Sequence, residues 1–147
     1  MNPIDFIQKL ISRPEDIAAS PGDGRLAVAA VLVMAARADH AYAEAEQAMI
    51  ENVLKSRYSL DAGAAARLRV EAEAAEHEAM DHYQFTKAIK QAIPHEDRVA
   101  VLEALWRVVL ADDGRDPHED ALMRQLTDRL GLSPMESAQA RQRAAAG

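Results

Sequence analysis

Leu26-Ala27-Val28-Ala29-Ala30-Val31-Leu32-Val33-Met34-Ala35-Ala36 is the stretch that decides the fold of this 147-residue chain. It holds no charged or polar side chain, so every face of a helix built from it is apolar. Such a helix has no side to offer water and belongs at the centre of its domain. The run is also far shorter than the ~20 residues that cross a bilayer. It predicts a buried core helix over Leu26–Arg37, not a membrane span.

The text on either side reads as helix throughout. Alanine, leucine, glutamate and arginine dominate, and no stretch alternates with period two. Downstream, Glu44–Arg57 turns Met49, Ile50, Val53 and Leu54 inward. Ser59 is placed to cap the next segment, where Leu68, Ala72, Ala75 and Ala79 form one stripe. Phe85, Ala88, Ile89, Ala92 and Ile93 form another, closed by Pro94. Val99, Leu102, Leu105, Trp106 and Val109 mark a second strongly apolar helix. Pro117–Leu130 follows, with Gly131 placed to end it. Ser133-Pro134-Met135-Glu136 spells a capping box that opens a last helix, and the tail from Ala144 is expected to fray. The expectation is an all-α, single-domain bundle of about seven or eight helices.

Upstream, residues 1–25 read as an N-terminal amphipathic helix and loop, and 26–147 as the helical domain. Asn2-Pro3 offers a cap and a first-turn proline, and Ile4, Ile7, Leu10 and Ile11 share one face. Early acids and the lack of an apolar core exclude a secretory signal. The segment's weak basicity makes packing onto the domain the better expectation, with peripheral membrane contact as the other.

Composition narrows function further. There is no cysteine, which removes disulfides, thiolate zinc sites, iron–sulfur clusters and thiol nucleophiles. Asp and Glu number 24 against 17 Lys and Arg, a net charge of −7, which argues against nucleic acid as a partner. The serines carry no nucleophile-elbow spelling, and no glycine loop is shaped to cradle phosphate. The expectation is a protein that is not an enzyme.

The acids are concentrated. Arg37–Glu46 lies over Leu110–Glu119 at a constant offset, so Asp39 matches Asp112 and Glu46 matches Glu119. The repeated unit is apolar helix, Ala-Asp, acidic turn, then a helix with Glu in its first turn. This predicts two pseudo-symmetric helix–turn–helix repeats. A carboxylate at a helix C-terminus opposes the macrodipole by roughly 0.3–1 kcal/mol and needs compensation. Backbone N–H groups of the next helix, an arginine, or a bound cation can each supply it. Two readings stay open here. The acids fix a tight corner as helix caps, Asp116–Glu119 spelling a capping box, or they supply oxygens to a hard divalent cation such as Ca²⁺ or Mg²⁺. The spacing is not that of an EF-hand.

The duplicated Ala-Asp…Glu turns, together with His82-Tyr83-Gln84-Phe85-Thr86-Lys87 and Glu103-Ala104-Leu105-Trp106-Arg107-Val108, resemble the tellurite-resistance TerB-like family, from about Leu26 to Arg143. The resemblance implies two related helical hairpins in a cytoplasmic bacterial protein tied to chemical or metal stress. The N-terminal domain of the membrane co-chaperone DjlA is in the same superfamily, so a protein-interaction or co-chaperone-like adaptor is the other function implied, with other proteins as partners. Carried over by position, the metal residues are Asp39 and Glu46, then Asp112, Asp116 and Glu119. The sequence departs from the family's Ala-Asp-Gly: His40 follows Asp39, and Gly114 comes one place late. Copy two keeps more of the acids.

Other groupings read more plainly. Glu73/His77 and Glu78/His82 are i,i+4 pairs on what reads as a solvated face running from Glu71 to Asp81. Trp106 and Phe85 read as core, and His118 as an exposed first-turn residue.

Overall fold

Helix α1 (Arg25–Ala36) has nine of its twelve residues buried, and Val28, Val31, Leu32 and Val33 expose no surface at all. The computed structural model describes residues 24–39, 42–111 and 117–146. Around α1 stand α2 (Glu44–Tyr58), α3 (Ala62–Glu78), α4 (Tyr83–Ala92), α5 (His95–Leu110) and α6 (Pro117–Arg129), each of which packs on it. The last helix, α7 (Pro134–Ala146), lies along α5 in the most extensive packing between helices among the described residues. The described residues form seven α-helices and no strand, so the chain is an all-α bundle. The first helices of the two sequence copies, α1 and α5, pack on each other.

The apolar stripes read from the sequence are the faces that close over α1. Ile50 and Leu54 of α2, Leu68 and Ala72 of α3, Phe85 and Ile89 of α4, and Leu102 and Leu105 of α5 are all buried. Each large aliphatic side chain so enclosed contributes about 1.5–3 kcal/mol. Trp106 is buried too, and its indole N–H finds a partner: Nε1 donates to Ser137 Oγ at 3.1 Å, tying α5 to α7.

Helix ends follow local chemistry. Gly131 adopts φ 75°, and the bonds Leu132 N to Thr127 O (3.0 Å) and Gly131 N to Asp128 O (2.9 Å) close α6. Ser133 and Glu136 form the reciprocal capping box: Ser133 N donates to Glu136 Oε1 (2.8 Å) and Glu136 N to Ser133 Oγ (3.1 Å). Ser59 does not cap α3. It is left-handed (φ 55°) and ends α2, while Asp61 caps α3 by accepting from Ala64 N at 2.8 Å. A carboxylate two residues closer to the helix is the better-placed acceptor. The helix runs on through Ala146, with Ala144 partly buried against the core. The expected N-terminal helix and its loop lie outside the described residues.

Candidate cation site at the acidic corners

After α1 the chain makes a 3₁₀ turn, Arg37–Asp39, and enters α2 through Tyr42 and Ala43. Tyr42 sits at φ 23°, in the left-handed region where non-glycine residues are rare. Ala43 is extended and has no side-chain oxygen, so half of a capping box is missing. The other half is present: Glu46 Oε1 accepts from Ala43 N at 2.8 Å. Gln47 Nε2 adds a bond to Tyr42 O at 3.3 Å. Glu46 is completely buried, whereas Glu44 in the same helical turn is exposed.

In the second copy, Glu119 occupies the first turn of α6 and is 1% exposed. Helix α6 packs against the 3₁₀ turn of the first copy, so the helix carrying Glu119 meets the first corner. Asp112 and Asp116 lie outside the described residues, as does the capping box proposed for Asp116. Of Asp39 the backbone alone is described, at the end of the 3₁₀ turn.

Two glutamates at matched positions are thus withdrawn from water. Removing a carboxylate from water costs several kcal/mol unless hydrogen bonds or positive charge replace the lost solvation. Helix N-terminal amides supply some of that, because the macrodipole there is positive. The donor chemistry is all oxygen, which suits a hard cation such as Ca²⁺ or Mg²⁺. Among the described residues alone, no group of three or more acids and histidines converges.

The stretch from Glu71 to Asp81, which leaves α3 after Glu78, is not simply solvated. Glu73 accepts from the Tyr42 hydroxyl and from Arg69 Nη1, and Glu76 pairs with Arg37. Arg69 also reaches Glu51 of α2 through Nε at 2.7 Å. The Arg37 guanidinium lies over the Tyr42 ring, 5.2 Å from its centroid. These partners come from the turn after α1 and from α2, so the acids of α3 brace the first corner from outside. Burial, and then the bond to Glu73, hold the Tyr42 phenol above its ordinary pKa. The Glu78/His82 pairing expected from spacing is replaced by another. His82 Nε2 lies 3.0 Å from the Glu76 carbonyl oxygen and 3.4 Å from Glu76 Oε2. The i,i+4 pair Arg69/Glu73 was the sequence signal for this brace. Its cross-helix partners had none.

A groove of about 400 Å³ also opens between α2 and α5, lined by Met49, Val53, Arg57, Ala104 and Arg107 among others.

The sequence model of one family, described as tellurite resistance protein TerB, matches residues 25–142. No curated protein and no solved structure matches the chain.

Proposed function

This chain belongs to the family of the tellurite resistance protein TerB, and from that premise we propose that it is a non-catalytic, cytoplasmic stress-response module that holds a divalent cation at its acidic corners. One observation carries the reading. Glu46 and Glu119, equivalent in the two sequence copies, are both buried carboxylates, and α6, which carries Glu119, packs against the 3₁₀ turn that precedes α2. A bound cation would add positive charge beside these buried carboxylates. Glu46 and Glu119 would hold it together with Asp39, Asp112 and Asp116, and the second corner, richer in acids, is the stronger candidate. The brace of Arg37, Arg69, Tyr42, Glu73 and Glu76 keeps the first corner from splaying as charge accumulates there.

Calorimetric titration with Ca²⁺, Mg²⁺, Mn²⁺ and Zn²⁺ tests this. Binding tighter than millimolar by the native chain, abolished in an Asp112→Asn/Glu119→Gln variant, is the expected result. Failure of every ion to bind, or unchanged binding in the variant, ends the cation reading.

The second reading is an adaptor domain whose corner acids are helix caps. The Ala43–Glu46 bond favours it, since one Glu46 oxygen is already spent on the backbone. The groove between α2 and α5 is the surface such an adaptor would offer to a partner protein.

A further inference from the structure

The groove between α2 and α5 has a periodic lining. Met49, Val53 and Arg57 recur at i, i+4 and i+8 along α2, and Ala100, Ala104 and Arg107 at i, i+4 and i+7 along α5. Each set therefore shares one face of its helix. Eight residues of helix rise about 12 Å, so the groove runs for about two helical turns. Its apolar part is Met49 and Val53 on one side and two methyl side chains on the other. Short side chains at a contact let a neighbouring helix axis come close. An elongated apolar channel between two helices suits a third helix laid into it, anchored at a similar spacing.

The charge of the groove says what that helix should carry. Its ionisable lining residues are Arg57, Glu103 and Arg107. Both oxygens of Glu103 are already engaged: Oε2 accepts from Arg107 Nη2 at 2.9 Å, and Oε1 from Arg143 Nε of α7 at 2.7 Å. Arg57 is steadied by its neighbour, Nε donating to the Tyr58 hydroxyl at 3.3 Å. Three guanidiniums thus stand at or beside the groove against one carboxylate, in a chain whose net charge is −7. A second copy of this chain is a poor occupant, because a two-fold interface here would set arginines against arginines.

Resting on the adaptor reading, we propose that the groove docks an amphipathic helix of a partner protein that carries acidic residues beside its apolar stripe. The apolar stripe lies along Met49, Val53, Ala100 and Ala104, and the acids meet Arg57 and Arg107.

The test is selection of displayed peptides of about 18 residues, long enough to hold a helix, on the full native chain. Leucine is fixed along one stripe, and the flanking positions are randomised over Glu, Ser and Lys. Selection should enrich Glu over Lys. By fluorescence anisotropy, the enriched peptide should bind an Arg57→Glu/Arg107→Glu variant at least about tenfold more weakly, because like charges then meet. Arg57→Gln/Arg107→Gln should lose less, and the peptide with its Glu changed to Lys should prefer the reversed variant to the native chain. Ala100→Trp, which fills the groove from an exposed position, should abolish binding. Arg67→Glu/Arg124→Glu changes total charge equally on α3 and α6 and should leave binding as it was. Circular dichroism confirms that each variant is helical. Absence of any enrichment overturns the proposal and the groove's adaptor role together. Enrichment of Lys overturns the acidic partner and leaves the adaptor reading standing. Undiminished binding to Ala100→Trp or to the reversed variant overturns the groove as the site. A native dimer that Ala100→Trp converts to a monomer in sedimentation assigns the groove to a second copy and overturns the proposal as well.

Discussion

The Tyr42 hydroxyl donates a hydrogen bond to the carboxylate of Glu73, 31 residues further along the chain. It joins the corner after α1 to the middle of α3, and it does so from a backbone position at φ 23°. A strained residue persists where its surroundings over-determine it. Here the surroundings are a ring under the Arg37 guanidinium and a hydroxyl on Glu73, which is itself held by Arg69.

Tyr42→Phe keeps the ring and removes the bond. Glu73 retains Arg69, so the loss is that of one hydrogen bond to a charged group, about 1.5–3 kcal/mol. For a chain of this size that lowers the thermal midpoint by roughly 3–10 °C. Thermal unfolding followed by circular dichroism measures it, and an unchanged midpoint removes the brace from the account.

At the other end of the bundle, Gly131→Ala should destabilise by about 1–2 kcal/mol, because its φ of 75° is left-handed. The Arg98 guanidinium also stands 2.9 Å from where the new methyl would sit and must shift. Arg98 Nη1 donates to Leu130 O at 2.6 Å, covering a carbonyl at the negative end of α6. Arg98→Met should therefore weaken the same helix end by about 1–3 kcal/mol. Since the two residues touch, the double variant is expected to lose less than the sum of the singles. Urea denaturation of all three variants decides this.

Acid should act through Glu136. Its carboxyl is held below the ordinary range first by the backbone N–H of Ser133 and then by His95, whose Nε2 lies 2.6 Å away. A carboxyl whose pKa is lower in the folded state adds stability above its unfolded value and loses it as pH falls through its folded value. The loss therefore lies below about pH 4, the ordinary carboxylate range. Glu136→Gln should show a shallower decline in stability there. Identical acid limbs for the two proteins would exclude this role for the capping box.

Cation binding has a stability signature distinct from calorimetry. Free ion at a hundred times its dissociation constant stabilises by about 2.7 kcal/mol, so the native chain should melt roughly 5–10 °C higher with ion than with chelator. The Asp112→Asn/Glu119→Gln variant should melt at one temperature in both. A chelator-insensitive native chain leaves the corner acids with their capping role.

The sequence made some of this plain. Leu26–Ala36 can only be a core helix, because it has no polar face to expose. Gly131 and Ser133–Glu136 spell their own conformations locally. Ser59 misled because both it and Asp61 are cap-forming residues two places apart, and only the backbone decides which becomes the acceptor. The acids of α3 misled for a different reason. Their partners, Arg37, Tyr42 and Glu51 by way of Arg69, lie on other elements, and helical periodicity is blind to pairs formed between helices. The first-turn positions of Glu46 and Glu119 were legible. Their burial was not, since a first-turn glutamate is equally at home in water.

Helix α1, walled in by five others, has a bearing on how the chain moves. None of its middle amides can meet solvent by the slipping of one neighbour. Deuterium should therefore enter at Val31–Val33 only when the whole bundle comes apart, whereas the amides around Tyr42 exchange through a local opening of the corner. The slowest protons of this protein are thus a built-in gauge of its global stability, read beside a faster clock set by the turn that follows.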